Sequence, residues 1–346
     1  MEVVRTRPDN GLWASEDFVA PDITLGEGKT PLRSVRSSML GANFKGRLFL
    51  KDETRNPSGS FKDRLVAAAM TQARAFGAPG VICASSGNAG AATACYAANA
   101  DIPCVIVCPE ATPDGKLLQI EAYGAELVRV PGHYGHSFAH AKRLAEKSGY
   151  ANLTTTYLNP YGVDAARLVG QEIHKELDEV PDWVLVPTGS GPLVKGVFQG
   201  FMDVAGKVPR LVAVQAEGCA PIVKAFVDGQ SKVTAWGQPT TFASGISDPL
   251  VGYEDEGTYT LGLVRQSGGK AASVSDSEIR VAMSRLARHA AVLAEPTGAS
   301  SLAAACKLLE EGTFASNDSV VCMVTGHGFK DLRAWGESLP ATSSLA

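Results

Sequence analysis

A lysine that does chemistry needs a fixed position, and Lys62 has one. In "NPSGSFKDR" (residues 56–64) it follows a short Ser/Gly turn and leads into the apolar run "LVAAAMTQA". Most lysines of a globular chain lie on solvated helix faces. An amine placed where a loop feeds an apolar helix can instead act as a covalent nucleophile toward a carbonyl compound. Three further loops carry groups that complement it.

"ASSGNAG" (84–90) leaves one apolar run and opens a helical one, so Ser85, Ser86, Gly87 and Asn88 can present several donors to an anion. An N-cap with a tight turn would need only one Ser or Asn of that set. In "PTGSGPL" (187–193) the glycines Gly189 and Gly191 allow close backbone approach. The amide groups of that loop can then cradle a phosphate. The stretch is neither G-x-G-x-x-G nor a Walker A loop. "VTGHGFKD" (324–331) puts Thr325 at the end of the last apolar run, with Gly326 and Gly328 clearing space. His327 invites a catalytic reading, although a lone loop histidine is more often structural or solvated. An amine for covalent catalysis, a phosphate cradle, an anion loop with Asn and a hydroxyl at a strand end together make the set that pyridoxal 5′-phosphate needs.

The elements that must position these groups alternate along the chain. "GVICA" (80–84), "CVIVC" (104–108), "ELVRV" (126–130), "DWVLVP" (182–187) and "RLVAVQ" (210–215) are each followed by a helical pattern. Continuous apolar runs of this length, each leading into a helix, predict parallel strands covered on both faces. The fold class is α/β, doubly wound, and the rhythm restarts after about residue 155. Two such domains with mostly parallel sheets are expected: a smaller one over 50–158, and a larger one over 1–49 and 159–346. The Gly/Ser/Thr-rich segment 230–275 reads as a long functional loop or a lid. The end "LPATSSLA" reads as a low-complexity tail.

The 346 residues carry a net charge of −4, which gives no electrostatic reason to expect nucleic acid or an acidic membrane. No apolar h-region starts the chain and no apolar run is long enough for a span. The seven cysteines are odd in number, lack a C-x-x-C pair and sit partly in apolar runs, so they read as thiols of a reducing cytoplasm. The six histidines are scattered, and no metal site is expected. A homodimer is the default assembly.

"LGEGKTPL" (25–32), "NPSGSFKDR", "SSGNAG", "AEPTGA" (294–299) and "TGHGFKD" resemble the threonine synthases, within the tryptophan-synthase-β-like pyridoxal phosphate enzymes. The likeness runs from about residue 25 to 332. It implies a cofactor in the cleft between the two domains and a lyase that turns O-phosphohomoserine and water into threonine and phosphate. By matching, Lys62 would hold the cofactor covalently and Asn88 its phenolic oxygen. Ser85, Ser86 and Gly87 would grip the substrate carboxylate. Gly189, Ser190, Gly191 and Leu193 would form the phosphate loop, and Thr325 would stand beside the pyridine nitrogen.

Two places depart from the family pattern. The phosphate loop reads "GSGPL" where G-N-x-G-N is usual, nearer to the loops of threonine and serine dehydratases. In "LNPYGVDAARLVGQE", Gly162 stands where the family has an arginine for the substrate phosphate. Arg167, about one helical turn onward, is the expected substitute. An ammonia-lyase for threonine or serine, and a β- or γ-replacement enzyme, therefore stay open beside the threonine synthase reading. So does a binding protein that has kept the cofactor fold without turnover.

Overall fold

Runs of β-branched and apolar residues become strands where both of their faces can be buried. The computed structural model describes residues 22–339. Residues 1–10 and all but the first residue of "LPATSSLA" lie outside them. Among the described residues the strands are β1 (Leu32–Val35), β2 (Arg47–Asp52), β3 (Val81–Ala84), β4 (Cys104–Pro109), β5 (Glu126–Val130), β6 (Ala151–Asn152), β7 (Trp183–Pro187), β8 (Arg210–Ala216), β9 (Lys270–Val274) and β10 (Ser319–Val324). They form a six-stranded sheet of order β1-β2-β10-β7-β8-β9 and a four-stranded sheet of order β5-β4-β3-β6. All pairings are parallel except that of the edge strand β1 with β2.

The strand period of two sorts the cores. In the larger sheet Leu185, Val212, Val320 and Cys322 pack toward the helices Asp276–Ala290 and Pro296–Glu310. Their alternates Val184, Val186, Ala213 and Val321 pack toward Arg167–Leu177 and Pro192–Ala205. In the smaller sheet Cys83, Ile106 and Cys108 meet one helical layer, while Ile82, Val105 and Val107 meet the other. Each fully buried Val, Leu or Ile contributes about 1.5–3 kcal/mol relative to exposure.

Two expectations need adjusting. β2 belongs to the larger sheet, so a domain break at residue 50 would fall inside a strand; the strands of the smaller sheet run from 81 to 152. The segment 230–275 is not one long loop, because it contains the helix Glu254–Gln266 and β9. The helix escaped notice because its glycines Gly257 and Gly262 interrupt the apolar pattern. Among the described residues no helix is long and apolar enough to cross a membrane.

Candidate active site

β3, β7 and β10 each end at a loop that faces one shared cavity of about 840 Å³. Ligands of parallel sheets collect beyond the carboxyl ends of strands. Lys62, Ser85, Ser86, Gly87, Asn88, Gly189, Ser190, Gly191, Leu193 and Thr325 all line this cavity.

Lys62 opens the helix Lys62–Ala75, and the turn before it is tied down from both sides. Asp63 accepts hydrogen bonds from the amide and the hydroxyl of Ser58, at 3.0 and 2.8 Å. The Phe61 amide donates to the Thr325 carbonyl at 3.0 Å, and the His327 amide donates to the Gly59 carbonyl at 2.9 Å. This two-bond bridge holds the lysine turn and the Thr325 loop in register although 263 residues separate Lys62 from Thr325. The Lys62 amine donates to Thr155 Oγ1 at 2.7 Å. Burial pulls it down to about 8, against the opposing influence of Cys83, Asp248 and Glu295.

Asn88 opens the helix Asn88–Ala100, whose first-turn amides have no partner within the helix. Its side-chain amide donates to Glu295 Oε1 at 2.6 Å. Ser85 Oγ accepts from the Gly87 amide at 3.2 Å, which folds the loop back on itself. Across the cavity Gly191 has φ +120, and a Cβ there would stand 1.9 Å from Thr260 Oγ1. Only glycine fits that turn. Thr260 in turn donates to the Ser190 carbonyl at 2.6 Å, so the carbonyl points away and the loop's amide side is left toward the cavity. His327 accepts from the Phe329 amide through Nδ1 at 3.1 Å, which is the structural role.

Arg167 is not at the cavity. It pairs with Asp164 and, at 3.2 Å, with Asp203. The reason is packing: the helix Arg167–Leu177 lies so close on Pro192–Ala205 that a Cβ on Gly200 would meet the Arg167 carbonyl at 2.0 Å. That crossing turns the guanidinium toward Asp203. Nor could position 162 hold an arginine in this backbone, since a Cβ on Gly162 would come within 2.9 Å of the Leu65 carbonyl. No arginine is among the described residues that line the cavity.

Two acids there went unassigned from the sequence. Glu295 lies within "AEPTGA", a stretch that was legible as a motif but carried no role. Burial pushes its carboxyl up, against Lys330, the Asn88 hydrogen bond and Lys116. Asp248 lies in the loop ahead of the helix Glu254–Gln266 and receives the Tyr253 hydroxyl at 2.5 Å and the Leu250 amide at 3.0 Å. Burial pushes its carboxyl up as well. Nothing in the local pattern marked it.

The donor set fits pyridoxal 5′-phosphate. Thr325 is 1% exposed and its Oγ1 has no hydrogen-bond partner among the described residues, so the cavity wall holds a hydroxyl waiting for an acceptor or donor. Lys62, Asn88 and the loop 189–193 surround the same space with an amine, an amide and backbone donors. Among the described residues no three His, Cys, Asp or Glu side chains cluster to hold a metal ion.

Comparison with known proteins agrees. The model of the family described as pyridoxal-phosphate dependent enzyme matches residues 23–326. A threonine synthase of Methanosarcina acetivorans is 35% identical over 316 residues, which cover 89% of this chain and 76% of that protein. Among solved structures, maize serine racemase superposes with a TM-score of 0.77 at 24% identity, covering 90% of this chain and 91% of that one. Threonine deaminase isoform 2 of Solanum lycopersicum gives a TM-score of 0.76 at 24% identity, with 89% and 82% covered. These two likenesses concern the fold. With the family's extent on one side and a cavity built for its cofactor on the other, the chain belongs to the pyridoxal-phosphate dependent enzymes and, within them, is similar to threonine synthases.

Proposed function

We propose that this chain converts O-phosphohomoserine and water to threonine and phosphate. The observation that carries the reading is the threonine synthase likeness over most of the chain, with an amine of lowered pKa at the centre of the cavity. When bound, the cofactor supplies an electron sink for carbanions next to its attachment point. Thr325, a hydroxyl rather than a carboxylate, would not force a proton onto a ring nitrogen held beside it. That tempers the sink and suits elimination over transamination. Lys62 takes the proton from the substrate's Cα and returns protons to neighbouring carbons. Asn88 would meet the cofactor's phenolic oxygen, and Ser85, Ser86 and the amides at the start of the Asn88–Ala100 helix would hold the α-carboxylate. Gly189, Ser190, Gly191 and Leu193 would hold the cofactor phosphate. A cytoplasmic homodimer is part of the same proposal.

A second reading, ammonia release from threonine or serine, is favoured by the absence of arginine from the described cavity lining. Incubating the holoenzyme separately with O-phosphohomoserine, threonine and serine separates the two. The expected result is phosphate and threonine in equal amounts from the first substrate alone. Ammonia and 2-oxo acid from threonine or serine, with no phosphate from O-phosphohomoserine, would overturn it.

The lysine's lowered value has its own consequence for cofactor capture. Only the neutral amine attacks a carbonyl. At pH 7 an amine with a pKa near 8 is about one-tenth neutral, against about one part in 3,000 at the ordinary 10.5. Capture of cofactor by apoenzyme, followed by stopped-flow absorbance, is therefore expected to rise with pH and level off just above 8. Nα-acetyl-lysine under the same conditions should keep rising beyond 10. A protein rate that also climbs past 10 contradicts the lowered value.

A further inference from the structure

A primary amide offers a ligand either its oxygen or its NH2 group, two ends of nearly the same shape. Asn88 serves a phenolic oxygen only with the NH2 group turned toward it. We propose that Glu295 fixes that choice, holding the Asn88 side chain so that its NH2 group faces the cofactor's phenolic oxygen. Glu295 is then a positioning residue, given the assignment of Asn88 above, on which this rests.

The Glu295 side chain has one hydrogen-bonded partner among the described residues, and it is this amide. Glu295 stands at the N-cap of the helix Pro296–Glu310, where a side-chain oxygen can accept from the helix's first amides, yet it makes no such bond. Its Oε1 instead accepts from Asn88 Nδ2 at 2.6 Å, across 207 residues of chain. Burial pushes its carboxyl up, while Lys330, the Asn88 bond and Lys116 favour the charged form. A carboxylate only accepts, so it takes the NH2 end of an amide and has nothing to give the oxygen end. One N–H of Asn88 goes to Glu295. The other stays in the same amide plane for a ligand in the cavity that both residues line.

The backbone keeps this contact in place. Gly326 packs against it: a Cβ there would run into Glu295 Oε1 and stand 3.0 Å from Asn88 Nδ2. The Glu295 amide donates to the Gly326 carbonyl at 3.0 Å, and Ala294 pairs with His327 in an antiparallel bridge. Trp335 Nε1 adds a bond to the Ala294 carbonyl at 3.0 Å. The carboxylate is thus tied to the loop after β10, which also carries Thr325. Through Glu295, an amide at the start of the Asn88–Ala100 helix is held relative to a hydroxyl at the end of a strand in the other sheet. Phenolic oxygen and ring nitrogen belong to one rigid ring, so their two partners need one fixed spacing.

The test titrates apoenzyme, by absorbance, with two probes: pyridoxal 5′-phosphate and its 3-deoxy analogue, which lacks the phenolic oxygen. The ratio of their affinities, compared between variants, isolates what each side chain gives that oxygen. Asn88→Ala should reduce the wild-type ratio by about 10- to 150-fold, the range for a lost hydrogen bond to a charged group. Glu295→Ala should reduce it by at least about fivefold although Asn88 is still present. The double variant should lose no more than Asn88→Ala alone, because the two act as one unit. Glu295→Gln, whose oxygen can still accept from Asn88, should keep most of the ratio. Glu295→Met, of similar length but without a strong acceptor, should match the alanine variant and replaces it should that one not fold. A Glu295→Ala ratio equal to wild type would overturn the proposal even where both probes bind more weakly, since a merely structural carboxylate affects them alike. An Asn88→Ala ratio equal to wild type would remove the Asn88 assignment and this proposal with it. Neither probe is an amino acid, so the result is separate from the choice between threonine formation and ammonia release.

Discussion

Replacing Lys62 by alanine is expected to lower turnover by about 10⁴-fold or more while leaving the fold unchanged. The loss combines two roles. Positioned proton transfer alone contributes about 10²–10⁴-fold, and the covalent hold on the cofactor adds to it. Nothing nearby can take over, because the cavity's other amines are committed elsewhere: Lys116 to Asp331 and Lys330 to Gln119. Folding should survive, since the lysine's single hydrogen bond goes to Thr155 Oγ1 and its side chain faces the cavity. Borohydride reduction of the wild-type holoenzyme, followed by peptide mass spectrometry, should place the pyridoxyl group on the peptide containing Lys62. A labelled lysine elsewhere, or a Lys62→Ala enzyme with a tenth of wild-type activity, would sink the assignment.

Arg64→Leu is expected to cost about 3–5 kcal/mol of stability, the effect of removing one partner from a buried ion network. Arg64 is 0% exposed and forms two-pronged pairs with Glu53 at 2.7 and 2.9 Å and with Glu172 at 2.6 and 2.7 Å. Lys51, equally buried, completes the cluster by bonding Glu172 and Glu176, each at 2.8 Å. Taking away the guanidinium leaves Glu53 with a threonine hydroxyl and an asparagine amide, and Glu172 with the Lys51 ammonium and the Lys29 amide. The urea midpoint should fall with the slope unchanged. Arg64→Lys should recover only part, because an ammonium cannot reproduce the fork. A midpoint equal to wild type would show that the network contributes nothing net. The pH dependence has a defined sign. Burial works against the Glu172 charge, but Arg64 and Lys51 outweigh it and hold the carboxyl below the ordinary 4.5. Its contribution is thus fully present above about 4.5 and is lost as pH falls through the lowered value.

This network also serves the site. It fixes the first turn of the helix Lys62–Ala75 against β2 and the helix Arg167–Leu177, so the amine two residues before Arg64 has one place to be.

Much of this was written in short, contiguous stretches. Apolar runs of four to six residues, each leading into a helical pattern, read as strands, and "GVICA", "CVIVC", "ELVRV", "DWVLVP" and "RLVAVQ" became β3, β4, β5, β7 and β8, although the edge strand β5 holds no fully buried residue. The cavity loops were legible for a related reason. In a parallel sheet the residues just past a strand's end face the ligand side, so strand position alone carried Ser85 to Asn88, Gly189 to Leu193 and Thr325 to one rim. What sequence order could not decide was which charged side chains of the helices and longer loops turn inward. Arg167 was placed at the substrate by counting one helical turn, yet the close crossing of two helices sends it to Asp203. Lys116 and Lys330, 214 residues apart, meet at the cavity only because the two sheets face each other. Asp248 and Glu295 become part of the site in the same way, and Arg64 finds Glu172 across 108 residues. Strand and loop positions follow from local apolar pattern and backbone sterics, whereas the direction of a charge is set by packing between elements far apart in the chain.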